Sequence, residues 1–266
     1  MSFILTLSGM STSGKTTLAS LLSKTDAFDE AVSVTTRAMR AGEVDGKDYH
    51  FVSQETFDRY VADGVLVEHV ASHSACYGVP KFEVERIRDM GRSVIMVLEP
   101  EGVSSINRIA LANGDNLVSA FIHTDNAVLM ERFFNRISNQ EQKGKTFDPK
   151  SEATRLHTML TQERGWMARW DWDVSFLNLH LEDRQDQAIK SLVAMHEGGS
   201  AFTPVAKTLR PASKLEAYSK EKLAELIEQQ HLNPATPAEF FKVIMQPMAE
   251  IQKKIRYQDG CPSPSF

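Results

Sequence analysis

The chain has 266 residues, 42% hydrophobic and 24% charged, with 14 glycines and 10 prolines, a composition that excludes collagen-like, coiled-coil and disordered chains and has room for one large domain with an appendage. Thirty basic against 35 acidic residues leave a net charge of −5, so the overall field opposes non-specific binding to nucleic acid. Apolar runs such as Val94 to Leu98 are strand-sized and fall far short of the ~20 residues that a membrane span requires. Two cysteines, Cys76 and Cys261, give neither a disulfide framework nor zinc spacing, and an N-terminus without a basic leader makes the cytoplasm the expected compartment.

In chain order, residues 3–8 read as a strand, followed by a Gly-rich turn and a helix carrying Leu18, Leu21 and Leu22 at helical spacing. Further strands are expected at 49–52, 65–70, 93–98, 117–122 and 174–179. Helices at 55–62, 81–89, 102–111, 126–137, 152–167 and 184–196 separate most of them. This alternation implies an α/β fold with a parallel central sheet flanked by helices on both faces. The pattern breaks at Glu197-Gly198-Gly199-Ser200, with Pro204 and Pro211 beyond, so a domain over 1–197 is expected to give way to a linker over 198–211. Residues 212–266 read as a helical extension. Ser213 with Glu216, and Thr236 with Pro237 and Glu239, have the form of helix starts with a capping side chain. The first helix carries Leu215, Leu223, Leu226 and Ile227; the second carries Phe240, Phe241, Ile244, Met248, Ile251 and Ile255, with a kink at Pro247 and a loose tail after it. An apolar face on these helices is the expected contact for a second copy or a protein partner.

Chemistry enters at Gly9-Met10-Ser11-Thr12-Ser13-Gly14-Lys15-Thr16, with Thr17 next. A G-x-x-x-x-G-K-T run between an apolar strand and an apolar-periodic helix is a phosphate-binding loop. Its glycines let the backbone wrap an anion, its amides and the helix N-terminus supply positive charge, Lys15 reaches the terminal phosphates, and the Thr16 hydroxyl suits Mg²⁺. A nucleoside triphosphate and Mg²⁺ are therefore the expected ligands of this loop. A second constellation runs from Ser33 through Arg37, Arg40 and Tyr49 to Phe51; two guanidinium forks and a phenol can clamp a phosphate dianion, the plainer reading being a solvated basic loop.

This second stretch, Ser-Val-Thr-Thr-Arg-Ala-Met-Arg-Ala-Gly-Glu-Val-Asp-Gly-Lys-Asp-Tyr-His-Phe, resembles the guanylate kinases almost residue for residue at its distance from the phosphate loop. The resemblance continues through Gly64 to Glu68 and Tyr77-Gly78, and more weakly to about residue 195. It implies a base-binding lobe over about 33–92, a lid over about 132–160, and transfer of the ATP γ-phosphoryl group to GMP or dGMP. By the same resemblance, Ser33 contacts the guanine O6 and Glu68 accepts from N1–H and the 2-amino group. Arg37, Arg40, Tyr49, Tyr77 and Gly78 belong to the acceptor-phosphate site, Glu99 reaches the guanine amino group, and Arg132, Arg136 and Arg155 close over the transferring phosphoryl together with Lys15 and Arg37.

The chain departs from the family in places. An Asp-x-Asp pair appears as Val97-Leu98-Glu99 before Pro100-Glu101-Gly102, while Val79 stands for a Ser or Thr and Cys76 for an aromatic or polar residue, changes expected to reshape the rim of the base pocket. They motivate a variant reading, a kinase for another or modified purine monophosphate. A reading of another class is a binding module without catalysis, against which Gly14, Lys15 and Thr16 argue. Trp166, Trp170 and Trp172 read as packing residues, and His69 and His73 lack partners at metal spacing.

Overall fold

The computed structural model describes residues 2–39, 42–72, 75–124, 126–142, 147–177 and 182–198, together with Thr236 and Glu239. All six residues of β1 (Ile4–Gly9) are buried, as befits a central strand covered on both faces. Around it lie β2 (Phe28–Glu30), β7 (Ser93–Val97), β8 (Leu117–His123) and β9 (Val174–Leu177), in the order β2-β7-β1-β8-β9, every neighbouring pair being parallel. The two-residue alternation of strands sorts the core. Leu5, Leu7, Phe28, Ile95 and Ile122 pack with Leu18 and Leu22 of α1 (Lys15–Leu22) and Leu192 of α8 (Glu182–His196). Ile4, Val94 and Met96 face the other way, onto Val84 and Ile87 of α3 (Lys81–Asp89) and Val103 and Ile106 of α4 (Pro100–Asn113).

A second, four-stranded sheet has the order β4 (His50–Phe51), β3 (Val34–Thr35), β6 (Ala75–Pro80), β5 (Leu66–Ser72). Here β3 and β4 run parallel, while β6 is antiparallel to both β3 and β5. Phe57, from α2 (Gln54–Ala62), closes a small core with Val34 and Leu66. Both sheets belong to one compact unit, which takes in the described residues 2–9, 13–124 and 170–198.

The other unit is helical and contains residues 10–12 and 126–169. In it α5 (Asn126–Gln142) and α6 (Pro149–Thr161) are followed by a 3₁₀ turn at Glu163–Gly165 and by α7 (Trp166–Arg169). Leu129, Phe133, Ile137, Leu156 and Met159 form its core, with Met10 among them. Asp148 caps α6, its side chain accepting from the amides of Lys150 at 3.1 Å and Ser151 at 3.3 Å.

The parallel sheet and flanking helices agree with the sequence expectation. The differences lie in the short strands β2, β3 and β6, which periodicity does not reveal, and in the run 152–167, which breaks after Thr161 into the 3₁₀ turn at Glu163–Gly165. The expected linker and C-terminal helices lie outside the described residues, apart from one local bond: the Glu239 amide donates to Thr236 Oγ1 at 3.3 Å, as a capping threonine should.

Candidate active site

The loop after β1 turns through left-handed backbone at Thr12 (φ 63°) and Gly14 (φ 98°), a geometry that aims successive amides to one side and favours an anion there. Glycine accepts this without strain; threonine, being β-branched, rarely does. Gly9 meets a different demand, since a Cβ there would lie 2.6 Å from the Ile122 carbonyl oxygen. Lys15 donates from Nζ to the Gly9 oxygen at 2.6 Å, which folds its ammonium back along the loop. Thr16 and Thr17 are exposed at the start of α1, whose first turn has no acidic residue, so nothing in that turn offsets the positive end of the helix dipole. Met10 is buried in the helical core, and Ser11 and Thr12 are hydrogen-bonded within the helical unit to Glu163 and Leu129.

In the small-sheet lobe the Arg37 guanidinium pairs with both oxygens of Glu43, at 3.1 and 2.9 Å. It also lies 5.4 Å from the centre of the Tyr49 ring and 5.6 Å from that of Phe51. Burial works against the Arg37 charge, but hydrogen bonding to Glu43 and the field of Glu43 outweigh it and hold the pKa above the ordinary value. Tyr49 and Tyr77 pack edge to face with ring centres 6.0 Å apart. Arg37, Tyr49 and Tyr77 thus converge at one place. Ser33 is half-buried at the entry to β3, its carbonyl accepting from the His50 amide at 2.9 Å. Arg40 lies outside the described residues.

Glu68 has the most telling surroundings. Pairing of β5 with β6 shifts between Leu66 and Glu68, so that Leu66 faces Pro80 while Glu68 faces Val79; the extra residue, Val67, makes a β-bulge, a device that re-aims the side chains beside it. The Glu68 residue is only 4% exposed, and its Oε2 is buried with no hydrogen-bond partner among the described residues. Burial pushes its pKa up to about 7. Two glycines make room for it. A Cβ on Gly102, in the first turn of α4, would stand 3.1 Å from Glu68 Oε2, and one on Gly78 would stand 2.8 Å from the Glu68 carbonyl oxygen. Glu99 is exposed at the N-cap of α4, and Val97 is half-buried against the α1-side core.

The remaining arginines belong to the helical unit. Burial lowers the pKa of the half-buried Arg132, with Glu131 opposing the shift. Arg136 bonds to Glu152 Oε2 at 2.7 Å and lies 5.3 Å from the centre of the Phe133 ring. Arg155 is half-buried on α6.

One expectation is corrected. Val79 does not shape a pocket rim: it is fully buried beside Ile4, Val84 and Ile87, so a valine there is a core residue, where an unpaired hydroxyl would carry a desolvation cost. Trp172 packs on Phe121 with ring centres 5.1 Å apart, as a packing residue should, while His73 lies outside the described residues. Sequence reasoning missed Glu163, a buried acid bonded to the phosphate loop, because one glutamate after a helix looks like any solvated one.

A parallel sheet whose central strand runs through a G-x-x-x-x-G-K-T loop into a helix, beside a smaller sheet carrying an arginine and a buried carboxylate, defines a P-loop nucleoside monophosphate kinase. The family model for guanylate kinase matches residues 2–163. A guanylate kinase of Paramagnetospirillum magneticum is 32% identical over 193 residues, which are 72% of this chain and 83% of the relative. That of Chlamydia pneumoniae is 44% identical over 101 residues, 37% of this chain, and the chain spans about half of that relative's length (49%). The crystal structure of guanylate kinase from Anaplasma phagocytophilum superposes with a TM-score of 0.54 at 29% identity, covering 73% of this chain and 86% of that one. The chain belongs to the guanylate kinase family, whose known reaction is transfer of the ATP γ-phosphoryl group to GMP.

Proposed function

We propose that this chain phosphorylates GMP and dGMP with ATP, and that the residues named below perform the transfer. The observation that carries this reading is the buried, unpartnered carboxylate oxygen of Glu68. A buried acceptor is unfavourable until a donor reaches it, and guanine offers two adjacent donors, N1–H and the 2-amino group. Ser33 takes the guanine O6 and Glu99 the outer side of the amino group. Arg37, Arg40 and Tyr49 hold the acceptor phosphate with Tyr77 and Gly78. Arg37 is kept charged and oriented by Glu43, so its fork is already arranged for a dianion.

On the donor side, the loop from Gly9 to Thr17 holds the triphosphate, with Met10, Ser11 and Thr12 as its wall and Ser13, Gly14, Lys15 and Thr16 as its donors. Mg²⁺, when bound, neutralises charge on the β- and γ-phosphates. Among the described residues no group of three or more acidic, histidine or cysteine side chains forms a cage for it, which fits an ion held by the Thr16 hydroxyl and by phosphate oxygens. No general base is needed, because the acceptor oxygen is already anionic at neutral pH. The protein's task is alignment and charge neutralisation, which Lys15, Arg37, Arg132, Arg136 and Arg155 perform. Arg136 must exchange its bond to Glu152 for the phosphoryl group, so residues 132–160 are read as a lid that closes and excludes water. Among the described residues no helix is long and apolar enough to cross a membrane, and we place the enzyme in the cytoplasm. Residues 212–266 are read as its contact with a second copy or a protein partner.

The test is an ADP-release assay with Mg·ATP and GMP, dGMP, AMP, dAMP, CMP or dTMP. Turnover confined to GMP and dGMP, abolished by Lys15→Ala while GMP binding persists, is the expected result. Absence of turnover with every acceptor refutes the reading.

A further inference from the structure

Glu163 opens the 3₁₀ turn after α6 and is 7% exposed. Both of its carboxylate oxygens are engaged by a single residue of the phosphate loop. The Ser11 amide donates to Oε2 at 2.5 Å and the Ser11 hydroxyl donates to Oε1 at 2.8 Å. Ser11 therefore has no hydrogen left for a phosphate. Its two neighbours are fastened to the same helical unit. Met10 is 7% exposed within the core built by Leu129, Phe133 and Leu156. Thr12, left-handed at φ 63°, donates its hydroxyl to the Leu129 carbonyl at 3.0 Å. A β-branched residue in that conformation is held by its surroundings against its own preference.

A buried carboxylate facing a loop that receives a polyanion repels that ligand, so a purely electrostatic argument would remove it. What it supplies instead is geometry, through two charge-assisted bonds, which are stronger and more directional than neutral ones. We propose that Glu163 is a positioning residue for ATP: it withdraws Ser11 from the phosphate donors and fixes the first half of the loop, so that the amides of Ser13 to Thr16 alone form the cradle. This rests on reading the loop as the ATP site.

The experiment compares wild type with Glu163→Ala, Glu163→Gln, Ser11→Ala and the Glu163→Ala/Ser11→Ala double variant, all as full-length chains. Steady-state kinetics are run with ATP and GMP varied separately, ADP affinity is measured by calorimetry, and the melting temperature is recorded. Loosening a positioned loop raises KM for ATP and Kd for ADP roughly 10- to 100-fold in Glu163→Ala, with KM for GMP within about twofold of wild type on the same reasoning. Glu163→Gln keeps an acceptor and recovers most of the loss. Ser11→Ala moves in the same direction by less, and the double variant is no worse than Glu163→Ala, because both substitutions remove one interaction. A fall in melting temperature with unchanged KM for ATP and Kd for ADP, or an equal rise in both KM values, overturns the proposal. If Glu163→Ala does not fold, Glu163→Gln and Ser11→Ala carry the same comparison. A wild-type chain that binds ADP but phosphorylates no acceptor refutes the proposed reaction and leaves the ADP comparison to decide the role of Glu163.

Discussion

Replacing Glu68 with glutamine separates the cost of the buried carboxylate from its use. Its carboxyl ionises at 4.5 in an ordinary environment and at about 7 in the fold. Between those values the folded state holds the proton more tightly than the unfolded one, so stability falls as pH rises from 4.5 to 7 and is level above that. At about 1.4 kcal/mol for each tenfold change, the full penalty is about 3 kcal/mol. For a domain of this size it corresponds to roughly 6–12 °C in melting temperature. Glu30 is also pushed up to about 7, by burial and then by Asp29, so the pH dependence of the wild type alone assigns nothing. The difference between wild type and Glu68→Gln cancels Glu30 and any constant offset that the amide introduces. That difference, followed by thermal or denaturant unfolding from pH 5 to pH 8.5, should move by about 2.5 kcal/mol in favour of the variant, while GMP binding by the variant collapses. A difference that stays flat across this range would show that the carboxylate is not desolvated and would remove the main support for the guanine pocket.

Other substitutions probe the parts around it. Gly102→Ala places a methyl group 3.1 Å from Glu68 Oε2; GMP affinity should drop about tenfold with unfolding little changed, and an unaltered KM for GMP would mean that the carboxylate has room to move. In Gly78→Ala the added carbon meets the Glu68 carbonyl and Leu66 Cδ1, both at 2.8 Å, so β5 and β6 must separate at a cost of about 1–3 kcal/mol, read as a lowered denaturation midpoint; equal midpoints refute it. Glu43→Ala frees Arg37 from its bidentate partner, and KM for GMP should rise severalfold with KM for ATP unchanged, whereas equal effects on both would show that Glu43 does not serve the acceptor site.

Several of these features are legible in the sequence for definite reasons. The phosphate loop is local: its glycines, lysine and threonine are contiguous, and the strand and helix that frame it announce themselves by period. Central strands are visible because burial on both faces makes them continuous apolar runs, as in Ser93 to Val97. The short strands are not, since Val34–Thr35 offers two residues to a periodic pattern and Ala75–Pro80 contains a glycine and a proline that read as a turn. Position 79 was misplaced for a related reason: a residue next to a site in sequence faces the core when its strand alternates, and one residue of register decides which. The bulge at Val67 and the reach of Glu163 to Ser11, 152 positions away, are pairing facts, and nothing within either segment encodes them.

The pKa of Glu68 bears on selectivity as well as on stability, because its two protonation states suit different bases. As a carboxylate it accepts from two donors, which guanine supplies, whereas adenine would turn the lone pair of its N1 toward the anion. As a neutral acid it becomes a donor, able to bond to adenine N1 while the Ser33 hydroxyl accepts from the adenine amino group. Discrimination between GMP and AMP must therefore weaken as pH falls through about 7. From pH 8 to pH 6 the ionised fraction falls about tenfold while the neutral fraction rises about tenfold, so the ratio of kcat/KM for GMP over AMP should fall about 100-fold between them. Both nucleotides carry the same titrating phosphate, and the lid, the arginines and ATP are common to the two reactions, so all of these cancel from the ratio. A ratio independent of pH from 6 to 8 would require the base to be read by some group other than Glu68.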